Sequence, residues 1–302
     1  DYANVQPHSG VNANTAVYQA LMNPGDKLMG MDLASGGHLS HGAPPTLSGK
    51  FYNPISYGVD ENGLLDYDEI EKIAVLTKPN VIVAGASAYP RHINWKAFRE
   101  IADMIGAKLV CDIAHYSGLI AAKQYPNPLP YADVVTSTTH KTLRGPRGGM
   151  ILWNDSRYTK KINSAIFPGT QGGPLMNIIA AKAQCYLEAL DNSFVDYIKQ
   201  VILNAKAMCE VFNKRGLKIQ TNGTDSHIIL VNLSDSEYSG REAADKLEAN
   251  GITVNKNGIP NDPRNFIETS GFRIGTAAET TRGLKETDFK TLAHKICNLL
   301  DR

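Results

Sequence analysis

Apolar residues follow two kinds of spacing along the first half of the chain. Short runs rich in valine, isoleucine and leucine predict strands, whereas apolar residues at every third or fourth position predict helices at residues 66–76 and 95–105. The predicted strands cover residues 27–33, 81–85, 108–114, 133–138 and 150–153. Strands and helices that alternate in this way are typical of a largely parallel sheet with helices on both faces. The fold class is therefore predicted as α/β.

The pattern changes after Gly172-Gly173-Pro174. Residues 175–190 and 194–215 have the apolar spacing of two long amphipathic helices, and a shorter α/β segment follows them. In that segment we predict strands at 228–233, 252–255 and 272–275, and helices at 241–249 and from 286 onwards. A boundary is expected near residue 192, which gives a large domain over residues 1–192 and a small domain over residues 193–302.

Composition and charge narrow the function class. The chain has 302 residues and a formal net charge of +1, so neither nucleic acid nor a membrane surface is a predicted partner. Its four cysteines form no CxxC pair, which favours reduced thiols over a disulfide framework. No apolar run reaches transmembrane length, and no signal peptide precedes the first motif. We therefore expect a cytoplasmic enzyme, and the start at Asp1, directly before a motif, reads as a fragment.

Candidate chemical groups lie where the predicted strands end. Asp112 and His115 close one apolar strand, and His140 and Lys141 follow another. Ligands of parallel sheets bind beyond the carboxyl ends of the strands. A lysine that forms a Schiff base and a carboxylate that keeps a pyridine nitrogen protonated are the pair that a pyridoxal 5'-phosphate enzyme needs. The alternatives are a solvated lysine and an aspartate that caps the following turn.

Two glycine-containing loops add to this hypothesis. Residues 7–14 lead into a predicted helix at 15–22, which suits a phosphate, although an ordinary serine N-cap has the same pattern. The histidines of residues 36–41 suit an imidazole stacked on a ligand ring, or a metal site that Asp112 and His115 complete. We favour stacking, and predict no metal, because no cysteine or carboxylate stands near these histidines at ligand spacing.

Arg273 is a candidate for binding a substrate carboxylate, because a guanidinium group binds a carboxylate through two hydrogen bonds. A surface ion pair on a strand is the alternative interpretation of the same residue.

Five segments resemble serine hydroxymethyltransferases of the bacterial type: residues 4–10, 36–41, 135–149, 167–174 and 255–257. The segment VTSTTHKTLRGPRGG at 135–149 is the most specific, and the similarity runs along the whole chain. The resemblance implies the type I fold of pyridoxal-phosphate-dependent transferases, in the aminotransferase-like arrangement. It also implies a homodimer that interconverts serine and glycine and transfers the hydroxymethyl carbon to tetrahydrofolate, giving 5,10-methylenetetrahydrofolate.

The resemblance further implies roles for individual residues. Lys141 holds the cofactor covalently, Asp112 pairs with the pyridine nitrogen, and His38 stacks on the ring. The other implied cofactor contacts are Ser9, Gly10 and Val11 at the phosphate, Ser87 and His115 at the phenolic oxygen, Ala114 on the second ring face, His140, and Gly173 at the neighbouring subunit's phosphate. The implied substrate contacts are Arg273 at the carboxylate, Thr138 and Arg147 around the covalent linkage, and Leu33, Gly37, Leu39 and Asn257 at the folate.

The chain departs from the family at its ends. The family's N-terminal arm supplies a glutamate for proton transfer, two tyrosines and a serine, and neither this arm nor a short C-terminal stretch is in the printed sequence. We therefore expect the printed chain to be impaired as an enzyme. The alternatives are another type I enzyme such as a threonine aldolase or an aminotransferase, a metal-dependent hydrolase, and a non-catalytic assembly module.

Overall fold

The computed structural model describes residues 1–301 and contains a large, mostly parallel sheet. Its seven strands are β1 (Tyr2–Asn4), β2 (Lys27–Met31), β3 (Asn53–Tyr57), β4 (Val81–Ala84), β5 (Lys108–Asp112), β6 (Val134–Thr138) and β7 (Gly149–Trp153). Across the sheet they lie in the order β1-β7-β6-β5-β4-β2-β3. Strands β2 to β6 pair in parallel, whereas β7 runs antiparallel to β6 and to β1. The predicted α/β fold class is confirmed.

The central strands are apolar at successive positions because both faces of the sheet are covered. In β4, Val81 and Val83 belong to the core on one face, whereas Ile82 and Ala84 belong to the core on the other. Side chains alternate between the faces of a strand, so a strand buried on both sides must be apolar throughout.

Helices cover both faces of this sheet. α1 packs on the face of Val81 and Val83, and α4 packs on the opposite face. The helices that precede the last quarter of the chain are α1 (Gly10–Leu21), α2 (Leu47–Phe51), α3 (Tyr67–Thr77), α4 (Trp95–Ile105), α5 (Ser117–Ala121), α6 (Thr159–Ser164), α7 (Met176–Ala189) and α8 (Asn192–Lys214). Four predicted helices of this region agree with α3, α4, α7 and α8 to within two residues.

A smaller antiparallel sheet follows α8. Its strands are β8 (Ile228–Asn232), β9 (Asn255–Asn257) and β10 (Gly271–Gly275), in the order β8-β10-β9, and its helices are α9 (Gly240–Glu248), α10 (Ala277–Thr281) and α11 (Glu286–Leu299). Helix α8 joins the two units: Ile198 lies in the core of the large sheet, whereas Phe212 lies in the core of the small one. The domain boundary near residue 192 stays a prediction.

The strand predicted at residues 252–255 is wrong in position. Ile252 instead donates its N–H to the Leu247 carbonyl at 2.9 Å and packs against the core behind α9. The chain pairs with β10 only from Asn255 onwards, and Asn255 lies opposite Arg273. Burial behind a helix end and burial in a sheet leave the same short apolar pattern, so this pattern does not distinguish the two.

The first helix also differs from its prediction. We expected it over residues 15–22, but α1 begins at Gly10 because Ser9 caps it and accepts the Asn12 N–H at 3.2 Å. Within residues 1–301, no helix combines the length and the apolar character that crossing a membrane requires.

Candidate active site

The carboxyl ends of β5 and β6 and the first turn of α1 enclose a cavity of about 240 Å³. Asp112 is the last residue of β5 and Thr138 the last of β6. Parallel neighbours end at the same edge of a sheet, which explains why side chains distant in sequence meet there. The cavity is lined by Ser9, Gly10, Val11, Asn14, His38, Ala86, Ser87, Asp112, Ala114, His115, Thr138, His140, Lys141 and Arg147.

The buried Asp112 carboxylate is held by three donors. Its Oδ2 accepts hydrogen bonds from His41 Nε2 at 2.9 Å and from Asn14 Nδ2 at 2.8 Å, and its Oδ1 accepts the Ala114 N–H at 3.0 Å. The bond from the Ala114 N–H caps the turn that follows β5. Asp112 therefore also has the turn-capping role that was the alternative interpretation of this residue. Two carboxylate oxygens offer about four acceptor positions, which leaves one for a further donor in the cavity.

The hydrogen bonds around Asp112 assign the imidazole tautomers. His41 Nδ1 accepts the His38 N–H at 3.4 Å, so the His41 proton lies on Nε2 and points at Asp112. Asn14 donates to Ser40 Oγ at 2.9 Å and accepts from Thr136 at 2.6 Å. Ser40 therefore gives its own hydroxyl proton to His38 Nδ1, 2.8 Å away. The His38 ring is left with its Nε2 protonated.

This network decides the charge of Asp112. Burial by itself would raise the pKa of the carboxyl group, but the hydrogen bond from His41, the electrostatic interactions with His41 and His38, and the hydrogen bond from Asn14 hold that pKa well below its usual range. Asp112 is therefore ionised at neutral pH. Burial has the opposite effect on the His38 ring and lowers its pKa to about 4, although the nearby Asp112 charge works against this shift.

Lys141 lies on the loop that follows β6. Burial lowers the pKa of its amine to about 8, and the positive charges of Arg273 and Arg147 act in the same direction, whereas Asp112 opposes them. Within the part of the chain that the structure describes, no hydrogen bond or ion pair holds the Lys141 amine. The side chain is thus free to react with a group in the cavity. The sequence alone had left a solvated lysine as an alternative.

The first turn of α1 forms the opposite end of the cavity. A Cβ atom on Gly10 would lie 2.7 Å from Thr138 Cγ2, so only a glycine allows the helix to approach β6 this closely. Ser9 Oγ is engaged by Asn12, which leaves backbone N–H groups at the helix start for a ligand. These groups and the helix dipole suit an anion such as a phosphate.

His115 lies on the wall between this cavity and a larger one. Its ring stacks on His227 of the small unit at a centroid distance of 5.8 Å, and the buried Nδ1 atom of each ring has no partner within residues 1–301. Burial lowers the pKa of both imidazoles, to about 3 for His227, with further lowering from the charges of Lys141 and Arg273. Both rings are therefore neutral at pH 7.

Arg273 lines the larger cavity, which measures about 630 Å³ and also contains Lys141 and His115 in its wall. Its guanidinium group donates to the Ser87 carbonyl at 2.6 Å and to Asn255 Oδ1 at 3.2 Å. These two bonds hold the arginine across the junction of the two units and leave other N–H groups for a carboxylate.

The structure brings most of the predicted site residues together. Every predicted cofactor contact except Gly173 lines the smaller cavity, as do the predicted Thr138 and Arg147. Gly173 is exposed, with no neighbouring atom within 4 Å of a Cβ built on it. The predicted folate contacts lie outside both cavities; they are Leu33, Gly37, Leu39 and Asn257.

Sequence reasoning missed Asn14 as a site residue and assigned His41 only to a metal hypothesis. Within residues 1–301, no three histidine, cysteine or acidic side chains are grouped as metal ligands. The available signal for Asn14 was its position on α1, where an asparagine stands on the same buried side as Ala13 and Val17. A buried amide needs polar partners, and this one bridges Asp112, Ser40 and Thr136.

Comparison with known proteins gives one consistent family. The model of a family described as serine hydroxymethyltransferase matches residues 1–296. Serine hydroxymethyltransferase 1 of Pseudomonas aeruginosa is 58% identical over 303 residues, covering 100% of this chain and 73% of that protein. A probable serine hydroxymethyltransferase of Rickettsia bellii is 57% identical, and the serine hydroxymethyltransferase of Francisella tularensis subsp. novicida is 56% identical; each alignment covers 99% of this chain and 72% of the relative.

The neutral buried histidines predict that stability falls in mild acid. Below pH 6.5 the unfolded chain takes up protons at His38 and His227, whereas the folded chain does so only near their lowered pKa values of about 4 and about 3. Preferential protonation of the unfolded chain at His38 therefore lowers the free energy of unfolding by about 3 kcal/mol as the pH falls from 6.5 to about 4. Urea unfolding at a series of pH values measures how the free energy of unfolding falls in acid. Removing the second histidine by His227→Phe should flatten the slope of that free energy against pH by roughly 1.4 kcal/mol per pH unit. Parallel curves for the parent and the variant would contradict this assignment.

Proposed function

The chain belongs to the serine hydroxymethyltransferase family, and from this premise we propose that the cavity at Asp112 and Lys141 is its active site. The family interconverts serine and glycine with tetrahydrofolate as the one-carbon acceptor, and its enzymes depend on pyridoxal 5'-phosphate. The observation that supports the proposal best is that one cavity contains both the Lys141 amine, which has a lowered pKa and no hydrogen-bond partner within residues 1–301, and the buried, ionised Asp112 carboxylate.

The residues of the cavity fit this cofactor. The start of α1 offers N–H groups at Ser9, Gly10 and Val11 for a phosphate. The acceptor position left on Asp112 would take the N–H of a protonated pyridine ring, and the ionised carboxylate would stabilise that proton. The buried Nδ1 of His115 lacks a partner and suits a polar ring substituent, with Ser87 beside it in the lining.

We assign the covalent bond to Lys141. With a pKa of about 8, roughly one amine in ten is unprotonated at pH 7, whereas an ordinary lysine has roughly one in several thousand. Only the unprotonated amine attacks an aldehyde, so desolvation supplies the reactive form. His38 presents an imidazole whose Nδ1 is held by Ser40, which fixes the ring plane for stacking on a cofactor.

The substrate side of the site follows from the arginines. Arg273 would bind the serine carboxylate through the N–H groups that Ser87 and Asn255 leave unused. Arg147 and Thr138 line the cavity around Lys141 and would orient the substrate. Leu33, Gly37, Leu39 and Asn257 are proposed as folate contacts on the basis of the family alone.

The reaction removes the hydroxymethyl group of serine as a formaldehyde equivalent, which tetrahydrofolate takes up. When bound, the cofactor supplies a ring that accepts the electron pair left on the α-carbon. The chain's part is to bind, orient and desolvate: Arg273 would fix the carboxylate, Asp112 would hold the ring proton, and burial desolvates the Lys141 amine. Such positioning and fixed charges are what protein side chains contribute to cofactor catalysis.

We also propose a homodimer, with Gly173 reaching the phosphate site of the partner copy. The support is a set of large apolar side chains exposed at the two ends of α7. Leu187 and Leu190, at one end, are 64% and 83% exposed in the single chain. Leu175 and Met176 are exposed at the other end of the same helix, next to Gly173. Large apolar side chains exposed at both ends of one helix are typical of an interface.

Replacing Lys141 by alanine should remove the covalent attachment of pyridoxal 5'-phosphate. Borohydride reduction followed by mass spectrometry should add the cofactor to the parent chain and to the exposed control Lys160→Ala, but not to Lys141→Ala. A reduced adduct that persists in Lys141→Ala would show that another amine carries the cofactor.

Asp112→Asn should retain the covalently attached cofactor but lose turnover. Losing one partner of a buried charge pair costs about 2–5 kcal/mol, so kcat should fall by roughly 10² or more. Folate-dependent cleavage of serine measures the loss, with the exposed Asp245→Asn as the control. Turnover within a factor of two of the parent would remove Asp112 from the proposed role.

Charged residues on the exposed side of α7 should weaken the dimer. Sedimentation equilibrium should find the parent chain as a dimer and the double variant Leu187→Lys, Leu190→Lys as a monomer, because lysines there would have to be desolvated in the interface. Leu76→Lys is the control, since Leu76 on α3 is equally exposed, at 85%, but lies on another helix. A parent that is monomeric at all concentrations would contradict the dimer.

A further inference from the structure

Helix α7 carries a lysine that is buried in the interior. Lys182 is 1% exposed, and Cys185 is the other buried residue of this helix. The Lys182 ammonium group donates to three backbone carbonyls: that of Val5 at 2.6 Å, that of Gly149 at 2.8 Å and that of Pro7 at 3.2 Å. Lysine is rarely buried in this way, so the position calls for an explanation.

The three carbonyls compensate for the cost of burying the charge. An ammonium group has three N–H donors, and here each has an acceptor. Within residues 1–301, Lys182 forms no ion pair with a carboxylate, so carbonyl dipoles alone stabilise its charge. Apolar side chains of similar length would fill the same space without this desolvation cost. What the lysine adds is therefore a fixed position for the three carbonyl groups.

Two of these carbonyls belong to the loop that leads into α1, and the third belongs to the start of β7. Val5 and Pro7 precede the capping residue Ser9, and Gly149 begins β7. The Gly149 N–H also donates to the Pro7 carbonyl at 2.9 Å, so the loop and the strand are joined directly as well. Lys182 thus ties the entry to α1 to the edge of the sheet.

Gln171 holds two further backbone groups of the same loop. Its Nε2 donates to the Gln6 carbonyl at 2.7 Å, and its Oε1 accepts the His8 N–H at 3.4 Å. Two side chains from the α7 region, Gln171 and Lys182, therefore set the backbone of residues 5–8. Asn4, the last residue of β1, adds a third contact, because its Oδ1 accepts the Gln6 N–H at 2.9 Å.

The packing leaves little room for the loop to move. A Cβ on Gly148 would lie 2.4 Å from Lys182 Cε, and one on Gly149 would lie 2.3 Å from the Ser9 carbonyl oxygen. Lys182 therefore contacts the start of β7, and the start of β7 contacts Ser9. A change in the volume or the bonding of Lys182 is passed to the first turn of α1 through backbone contacts.

We propose that Lys182 is a positioning residue that sets the phosphate-binding start of α1 through the carbonyls of Val5, Pro7 and Gly149. The inference rests on the proposed function, because it takes the start of α1 as the site of the cofactor phosphate. It concerns a residue outside the cavity, which touches neither cofactor nor substrate. Its effect is therefore specific to the phosphate end of the ligand.

Lys182→Met tests this proposal, with binding rather than activity as the readout. The apoprotein is titrated with pyridoxal 5'-phosphate and, separately, with pyridoxal, which has the same ring and aldehyde but no phosphate. The variant should bind pyridoxal 5'-phosphate at least about tenfold more weakly, since a loss near 1.4 kcal/mol is a factor of ten, and should bind pyridoxal as the parent does. Lys161→Met, an exposed lysine of α6, is the matched control and should change neither affinity.

The outcomes separate the possible explanations. A parent that discriminates poorly between the two ligands contradicts the proposed phosphate site itself. A parent that discriminates well, together with a Lys182→Met variant that loses both affinities equally or neither, contradicts the role of Lys182. Should the variant not fold, Lys182→Gln replaces it, because an amide still donates to two carbonyls. If that variant also fails to fold, Lys182 is a stability residue and the proposal is wrong.

Discussion

The site depends on one buried carboxylate being kept ionised. Asp112 lies at the end of a strand whose residues are otherwise apolar, where burial favours the neutral acid. The N–H groups of His41, Asn14 and Ala114 reverse that preference, because each one stabilises the charged form. These donors come from a turn, a helix and a loop that only the fold brings together.

Burial acts in opposite ways on the groups around Asp112. It lowers the pKa of the Lys141 amine, which makes that amine reactive, and it keeps His38 and His115 neutral. The same low-polarity surroundings would neutralise Asp112 if its hydrogen bonds were lost. A reactive amine and an ionised acid coexist because their partners differ: Asp112 has three donors, whereas the Lys141 amine has no hydrogen-bond partner within residues 1–301.

The two ends of the site are fixed by different means. At the acid end, hydrogen bonds between side chains set orientation, as in the chain Thr136–Asn14–Ser40–His38. At the helix end, backbone groups are the ligand-facing atoms, so the backbone itself must be held, and Lys182 and Gln171 do this. Arg273 reaches the site from the small unit through its bond to the Ser87 carbonyl, which makes the junction of the units part of the site.

The sequence by itself determined the α/β class, the positions of the central strands and the location of Lys141 and Asp112 at one edge of the sheet. Strand periodicity and strand ends are local properties of the chain, so a local pattern records them. It did not reveal Asn14, His41 or Lys182, because their partners lie 98, 71 and up to 177 residues away along the chain. Nor did it place residues 252–254, where a short apolar run fits a strand and a helix end equally well. Only tertiary packing decides which polar side chain becomes buried against which backbone group, and that decision set the charge states and the geometry of this site.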